Sequence, residues 1–135
     1  MKLRILTPQR LAFEETVKSV TAPGLAGELT VLDRHIPLFT PLKEGIVRID
    51  GDSGESYFSI GGGYLETDGK EMHILVSRLK NQDEIDEAEI IKAKADAENL
   101  IRNAGTDEER AEAMMSLHRS NIDLKLLSKI RRKKN

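Results

Sequence analysis

The sequence predicts an α+β chain: an all-β first part, a sandwich or flattened barrel, followed by two helices packed antiparallel. Three observations carry this. From residue 2 to about residue 80, short apolar runs with a period near two are interrupted by turn residues. At Asn81 the composition changes: no proline follows, a single glycine does, and Ala, Glu, Lys and Leu dominate, which favours helix. The stretch Thr21 to Gly45 sets prolines at 23, 37 and 41 and glycines at 24, 27 and 45 among apolar residues, so rigid corners alternate with segments that still bury. Each proline removes a ladder donor, so all three are expected at strand ends, edges or turns.

In chain order, the strand-like runs are Leu3–Ile5, Leu11–Phe13, Val17–Val20, Leu29–Val31, Ile46–Ile49, Tyr57–Ile60 and Met72–Val76. Seven or more short strands at this spacing argue for a sandwich. Asp50-Gly51 with Asp52-Ser53-Gly54 separates two runs and Asp68-Gly69 precedes another, and both read as hairpin turns. Gly61-Gly62-Gly63 invites a phosphate-loop reading, but it joins strand to strand and has neither a following helix nor a Gly-Lys-Ser/Thr ending. Its expected role is a bulge or a close backbone contact.

The first helix is expected to start at Asp83 as N-cap, with Asp86 and Glu87 in its first turn, and to bury the row Ile90, Ala93, Ala97, Leu100, Ala104. Gly105 is placed to close it in the left-handed conformation, and Thr106-Asp107-Glu108-Glu109 matches a capping box opening the second helix. That helix is expected to present Ala111, Met115, Ile122, Leu126 and Ile130 on one side. A hairpin with so few large residues is weakly stable alone. Charge sorts along it: seven acids lie between Asp83 and Glu98 against Lys92 and Lys94, and seven bases follow from Arg119 against Asp123. Both ends suit the helix dipoles, and the basic end also suits a docking role.

Composition excludes several functions. With 135 residues the chain has room for one domain, or one domain and an appendage. Aromatics are 4% and Trp is absent, so stacking platforms for bases or sugars are not expected. The lack of Cys removes disulfides, thiolate zinc sites and cysteine nucleophiles together. The N-terminal MKLRILTPQRL is neither a signal peptide nor a membrane span, so any membrane association is expected through a partner. His35, His73 and His118 have no metal-ligand spacing, the Ser residues have no nucleophile-elbow context, and no acid pair is set apart for proton transfer. Nothing points to an enzyme.

Three motifs carry a resemblance. Gly27-Glu28-Leu29, Val31-Leu32, His35-Ile36-Pro37-Leu38-Phe39-Thr40, Leu42 and Gly45 form the first, Ser59-Ile60-Gly61-Gly62-Gly63-Tyr64-Leu65-Glu66 the second, and Asp83-Glu84-Ile85-Asp86 the third. Together they resemble the epsilon subunit of bacterial F-type ATP synthases over nearly the whole chain. The resemblance implies a ten-stranded antiparallel β-sandwich over residues 1–82, docking gamma and the c-ring, and a regulatory helical hairpin over residues 83–135. It implies a non-catalytic subunit of the central rotor stalk that couples rotation to ATP synthesis and restrains ATP hydrolysis through its C-terminal helices. The location it implies is the cytoplasmic side of the inner membrane, peripheral, through the complex.

By the same resemblance Glu28 and His35 lie in loops at the ring-facing end of the sandwich, and Arg119, Lys125, Lys129, Arg131 and Arg132 meet an acidic segment of the catalytic beta subunits when the last helix extends. Some members bind ATP through I-D-x-x-R-A. Here the string is Ile85-Asp86-Glu87-Ala88-Glu89-Ile90, an acid stands where arginine would face phosphate, and nucleotide binding is not expected. Two rival functions have distinct signatures. A free-standing adaptor of the same architecture purifies without a large assembly, and a nucleic-acid binder would need aromatic interleaving in the basic helix, which is absent.

Overall fold

Alternation in the first eighty residues is realised as nine strands: β1 Lys2–Leu6, β2 Leu11–Gly24, β3 Gly27–Leu32, β4 Leu38–Leu42, β5 Gly45–Gly51, β6 Gly54–Ile60, β7 Gly63–Thr67, β8 Glu71–Val76 and β9 Leu79–Asn81. In the computed structural model, which describes residues 1–134 with side chains through Arg131, the chain forms two units, Met1–Asn81 and the part from Gln82 onward. A short 3-10 turn over Gln82–Glu84 precedes helices α1 (Glu87–Asn103) and α2 (Asp107–Lys134).

The strands form a sandwich built from one continuous network of pairings. One layer consists of the first half of β2 with β1, β8, β7 and β4. The other consists of β3, the second half of β2, β5, β6 and β9. Two features differ from the ten antiparallel strands expected. There are nine strands, because β2 runs unbroken for 14 residues and its two halves serve different neighbours. Its pairing with β5 shifts register between Val17 and Ser19, where the strand passes from one layer to the other. One pair, β1 with β8, is parallel, as the remoteness of the two strands in sequence allows.

The core follows from period two. Leu3 and Ile5 on β1, Met72, Ile74 and Val76 on β8, Leu65 on β7, Val47 and Ile49 on β5 and Val31 on β3 all point inward and are buried. Burying each such side chain contributes roughly 1.5–3 kcal/mol. The prolines sit where a missing donor does no harm: Pro23 and Pro41 are each next to last in their strands, and Pro37 precedes β4. The glycine run has the expected structural role. A Cβ on Gly63 would stand 1.9 Å from the Leu75 carbonyl oxygen, so β7 and β8 approach as closely as they do only because residue 63 has no side chain. The turn between β7 and β8 closes on Asp68, whose carboxylate accepts hydrogen bonds from the Lys70 and Glu71 amides at 2.8 and 2.9 Å.

In the second unit α1 and α2 pack as an antiparallel hairpin, with Arg131 at the end of α2 bonded to Glu87 at the start of α1. The N-cap of α1 is Asp86, three residues later than expected, because its carboxylate accepts from the Ala88 and Glu89 amides at 3.0 and 3.3 Å while Asp83 lies in the 3-10 turn. Ala104 ends α1 in an extended conformation, so Gly105 does not serve as the left-handed cap. The capping box at Thr106 is present: the Glu109 amide donates to Thr106 Oγ1 at 3.1 Å, and the Gly105 amide donates to Glu109 Oε2 at 3.0 Å. The buried rows differ from those expected. On α1 Ile90 and Ala97 are buried while Ala93 and Leu100 are exposed; on α2 Ala113, Ser120, Ile122, Asp123 and Leu126 are buried while Ala111 and Met115 are exposed.

Candidate partner interface

The strand registers of the first layer line up two rows of side chains on its outer face. Pro41 on β4, Tyr64 on β7, Leu75 on β8, Leu6 on β1 and Leu11 on β2 are successive cross-strand partners, and so form one apolar row spanning five strands. Beside it runs a second row of Phe39, Glu66, His73, Arg4 and Glu14. Tyr64, Leu75 and Leu11 are each between 42% and 51% exposed and Phe39 is 63% exposed, although these are residue types that strands normally bury. Phe39 and Tyr64 stack, with ring centroids 5.5 Å apart.

Two grooves flank this aromatic pair. One, of about 490 Å³, is lined by Leu6, Pro8, Gly62, Gly63, Tyr64 and Leu75 among others, and is mainly apolar. The second, of similar volume, is bordered by Pro37 and Phe39 and carries Glu66, Asp68, Glu71 and His73. Electrostatics divides the charged row. Arg4 donates to Glu14 at 2.7 Å and the Lys2 ammonium lies 3.7 Å from the same carboxylate, which raises the Arg4 pKa and holds the Glu14 carboxyl below the usual range, the Arg4 bond being the main cause of both. Both bases are therefore drawn toward β2. On β7 and β8, His73 Nδ1 lies 3.2 Å from Glu66 Oε1, and the two backbone amides hold Asp68 below its ordinary pKa.

The residues expected to form one loop surface are separated. Glu28, the second residue of β3, stands opposite Pro23 and beside the exposed Leu25 and Ala26 of the β2–β3 turn, whereas His35 follows the other end of the same strand. A strand's length, roughly 13 Å from position 28 to position 32, lies between the two loops. His35 is fixed in its turn by Nδ1 against the Ile36 carbonyl at 2.7 Å, and that turn is tied to the β7–β8 turn by the Arg34 amide donating to the Gly69 carbonyl at 2.9 Å. The resemblance implies a ring-facing position for both residues. The apolar outer row is not evident from the sequence, where its only local signal is apolar residues at both parities in Met72–Val76.

On α2, Arg119 and Lys125 are exposed, Lys129 is half-buried, and Arg131 is engaged by Glu87. Lys125 and Lys129 share one stripe at a spacing of four. The Arg132 side chain lies outside the described residues. No helix among the described residues is long and apolar enough to cross a membrane. What the arrangement offers chemically is protein recognition: an exposed aromatic pair, an apolar groove and a charged groove on a rigid face.

Comparison with known proteins agrees with this architecture. Residues 1–82 match the family model described as ATP synthase, Delta/Epsilon chain, beta-sandwich domain. An ATP synthase epsilon chain of Polynucleobacter necessarius is 33% identical over 135 residues, 99% of this chain and 98% of the relative. One from Xanthomonas euvesicatoria is 36% identical over 129 residues, 95% and 92% of the two chains. Among solved structures, a chain of the Euglena gracilis mitochondrial ATP synthase, OSCP/F1/c-ring in rotational state 1, superposes with TM-score 0.72 at 20% identity, covering 98% of this chain and 80% of the other. A chain of the Tetrahymena thermophila mitochondrial ATP synthase central stalk and c-ring gives TM-score 0.61 at 16% identity, covering 93% and 95%. At those identities the likeness is one of fold.

Proposed function

Because this chain belongs to the ATP synthase epsilon chain family, we propose that it serves as a non-catalytic rotor subunit of the central stalk, joining the gamma subunit to the c-ring of an F-type ATP synthase. The observation that carries this reading is the apolar row from Pro41 to Leu11 on the outer face of the first layer. A face of this kind on a small sandwich is suited to permanent burial against another subunit. We assign it to gamma. The turn at Leu25 to Glu28, exposed at one end of the sandwich, is assigned to the ring loops, and His35, at the other end and next to the Phe39 groove, to the gamma side. Membrane attachment on the cytoplasmic side of the inner membrane then comes through these partners alone.

The helical hairpin is assigned the restraint of ATP hydrolysis. Lys125 and Lys129, with Arg119, Arg131 and Arg132, would meet an acidic segment of the beta subunits on extension. Exposed pairs contribute about 0–1 kcal/mol each, so several must act together and salt must weaken them. Removing residues from Thr106 onward is expected to leave the sandwich bound to gamma and to raise steady-state ATP hydrolysis by reconstituted complexes of equal subunit content, with the difference from full length shrinking at high salt. Loss of gamma binding on this truncation would show that the helices, and not the outer face, make the attachment. Equal hydrolysis rates at both salt levels would remove the regulatory assignment.

A further inference from the structure

The two grooves on the outer face differ in chemistry, and the difference specifies what lies across them. The groove beside Tyr64 and Leu75 takes apolar side chains. The groove beside Phe39 presents three carboxylates, Glu66, Asp68 and Glu71, with His73 as the one basic side chain lining it. The nearest arginine and lysine in register, Arg4 and Lys2, make their ion pairs with Glu14 on the far side of β1, although Arg4 remains within Coulombic reach of Glu71. Phe39 adds an exposed aromatic ring at the same groove, which favours a cation over a neutral side chain.

We propose that this second groove receives an arginine or lysine side chain of the gamma subunit, held between the Phe39 ring and the carboxylates of Glu66 and Glu71. The inference rests on the assignment of the outer face to gamma and names the chemistry of the segment that binds there. Asp68, kept ionised by its two backbone donors, holds the groove negative whether or not a partner is present. Tyr64 and Glu66 are two residues apart on β7, about 6.8 Å along the strand. One helical turn of about 5.4 Å, or two residues of extended chain, spans that distance. The gamma segment therefore carries an apolar residue and a basic residue one helical turn apart, or two apart if it is extended. Its basic side chain sets register and orientation, and its apolar one supplies most of the affinity.

The test uses the full-length chain and the isolated gamma subunit, with binding measured calorimetrically at low and high ionic strength. For the wild type, affinity is expected to fall as salt rises. Glu66→Gln with Glu71→Gln is expected to weaken binding on the order of tenfold at low salt and to remove most of the salt dependence. The single Glu71→Gln, which leaves the Glu66–His73 pair in place, should show part of the same change and serves if the double variant folds poorly. Asp52→Asn, in the β5–β6 turn, should retain wild-type affinity and salt dependence. Leu75→Asp separates the two ideas, since it should abolish binding if the outer face is the docking surface. Abolition by Leu75→Asp with wild-type behaviour of the Gln variants would overturn the basic-residue inference alone. Full binding by Leu75→Asp would overturn the assignment of the face, and the inference with it.

Discussion

In the sandwich Leu3, Ile5, Ile49, Ile60, Leu65, Met72 and Ile74 are fully buried, whereas among the described residues of the helical unit only Leu126 reaches that state. The hairpin instead leaves Ile91, Leu100, Met114 and Met115 each more than half exposed. One unit is therefore specified by side-chain packing over a core that its strands close by pairing. The other is specified largely at its ends, by Asp86, by the Thr106–Glu109 box and by the Arg131–Glu87 pair. Packing terms are large and cooperative, and end terms are small and separable. The contrast suits the roles proposed above, a rigid docking unit and a hairpin that changes state at low cost.

The contrast is tested most severely at Gly63. Gly63→Ala forces a backbone shift of β7 against β8, and a loss on the order of 3–5 kcal/mol is expected for the sandwich in urea unfolding. A loss under 1 kcal/mol would show that the two strands can separate freely, and that the sandwich is less rigid than its core implies. An intermediate effect is expected from Asp86→Ala, which removes the acceptor for two helix N-terminal amides. The cost should be about 1 kcal/mol, seen as reduced helix content and faster amide exchange in α1 with the sandwich unchanged. Equal weakening of both units would erase the distinction between them.

The smallest effect concerns acid. Asp68 has a folded pKa below its unfolded value, so its contribution is present above the unfolded pKa near 3.8 and is lost as pH falls through the lower folded value. Asp68→Asn is expected to flatten the acid limb of the sandwich stability curve below about pH 4, with no change at neutral pH in the helical signal. A change at neutral pH larger than the acid-limb change would mean that the turn depends on something besides the carboxylate.

How legible these features are in the sequence depends on their range. The runs at Leu3, Ile46, Tyr57 and Met72 alternate locally, and alternation is a property of a single strand. The continuity of β2 is hidden because Glu14-Glu15-Thr16 looks like a loop until β1 pairs with it. β4 is hidden because a proline stands within it, and β9 because three residues carry no period. The helix rows are misplaced at Ala93, Leu100, Ala111 and Met115 since Ala recurs on several sides of α1 and Met114 and Met115 are adjacent on α2, which leaves the period weak. Asp83 and Asp86 are equivalent as letters, and the preceding 3-10 turn decides between them. The outer apolar row is created by register among five strands, and a short window along the chain does not contain it.

One pairing has a consequence for the order in which the protein is made. β1 is synthesised well before its parallel partner β8, which begins only at Glu71. At about 5–20 residues per second a ribosome needs roughly 3–13 s to pass from the end of β1 to the start of β8. For that time β1 lacks its β8 partner and keeps an open edge, a template for pairing with another nascent chain. The edge is guarded by the strand's own outer residues, Lys2 and Arg4, whose charges repel an identical strand. The two bases that hold Glu14 in the finished protein are thus also like charges that disfavour in-register pairing of β1 with a second copy of itself.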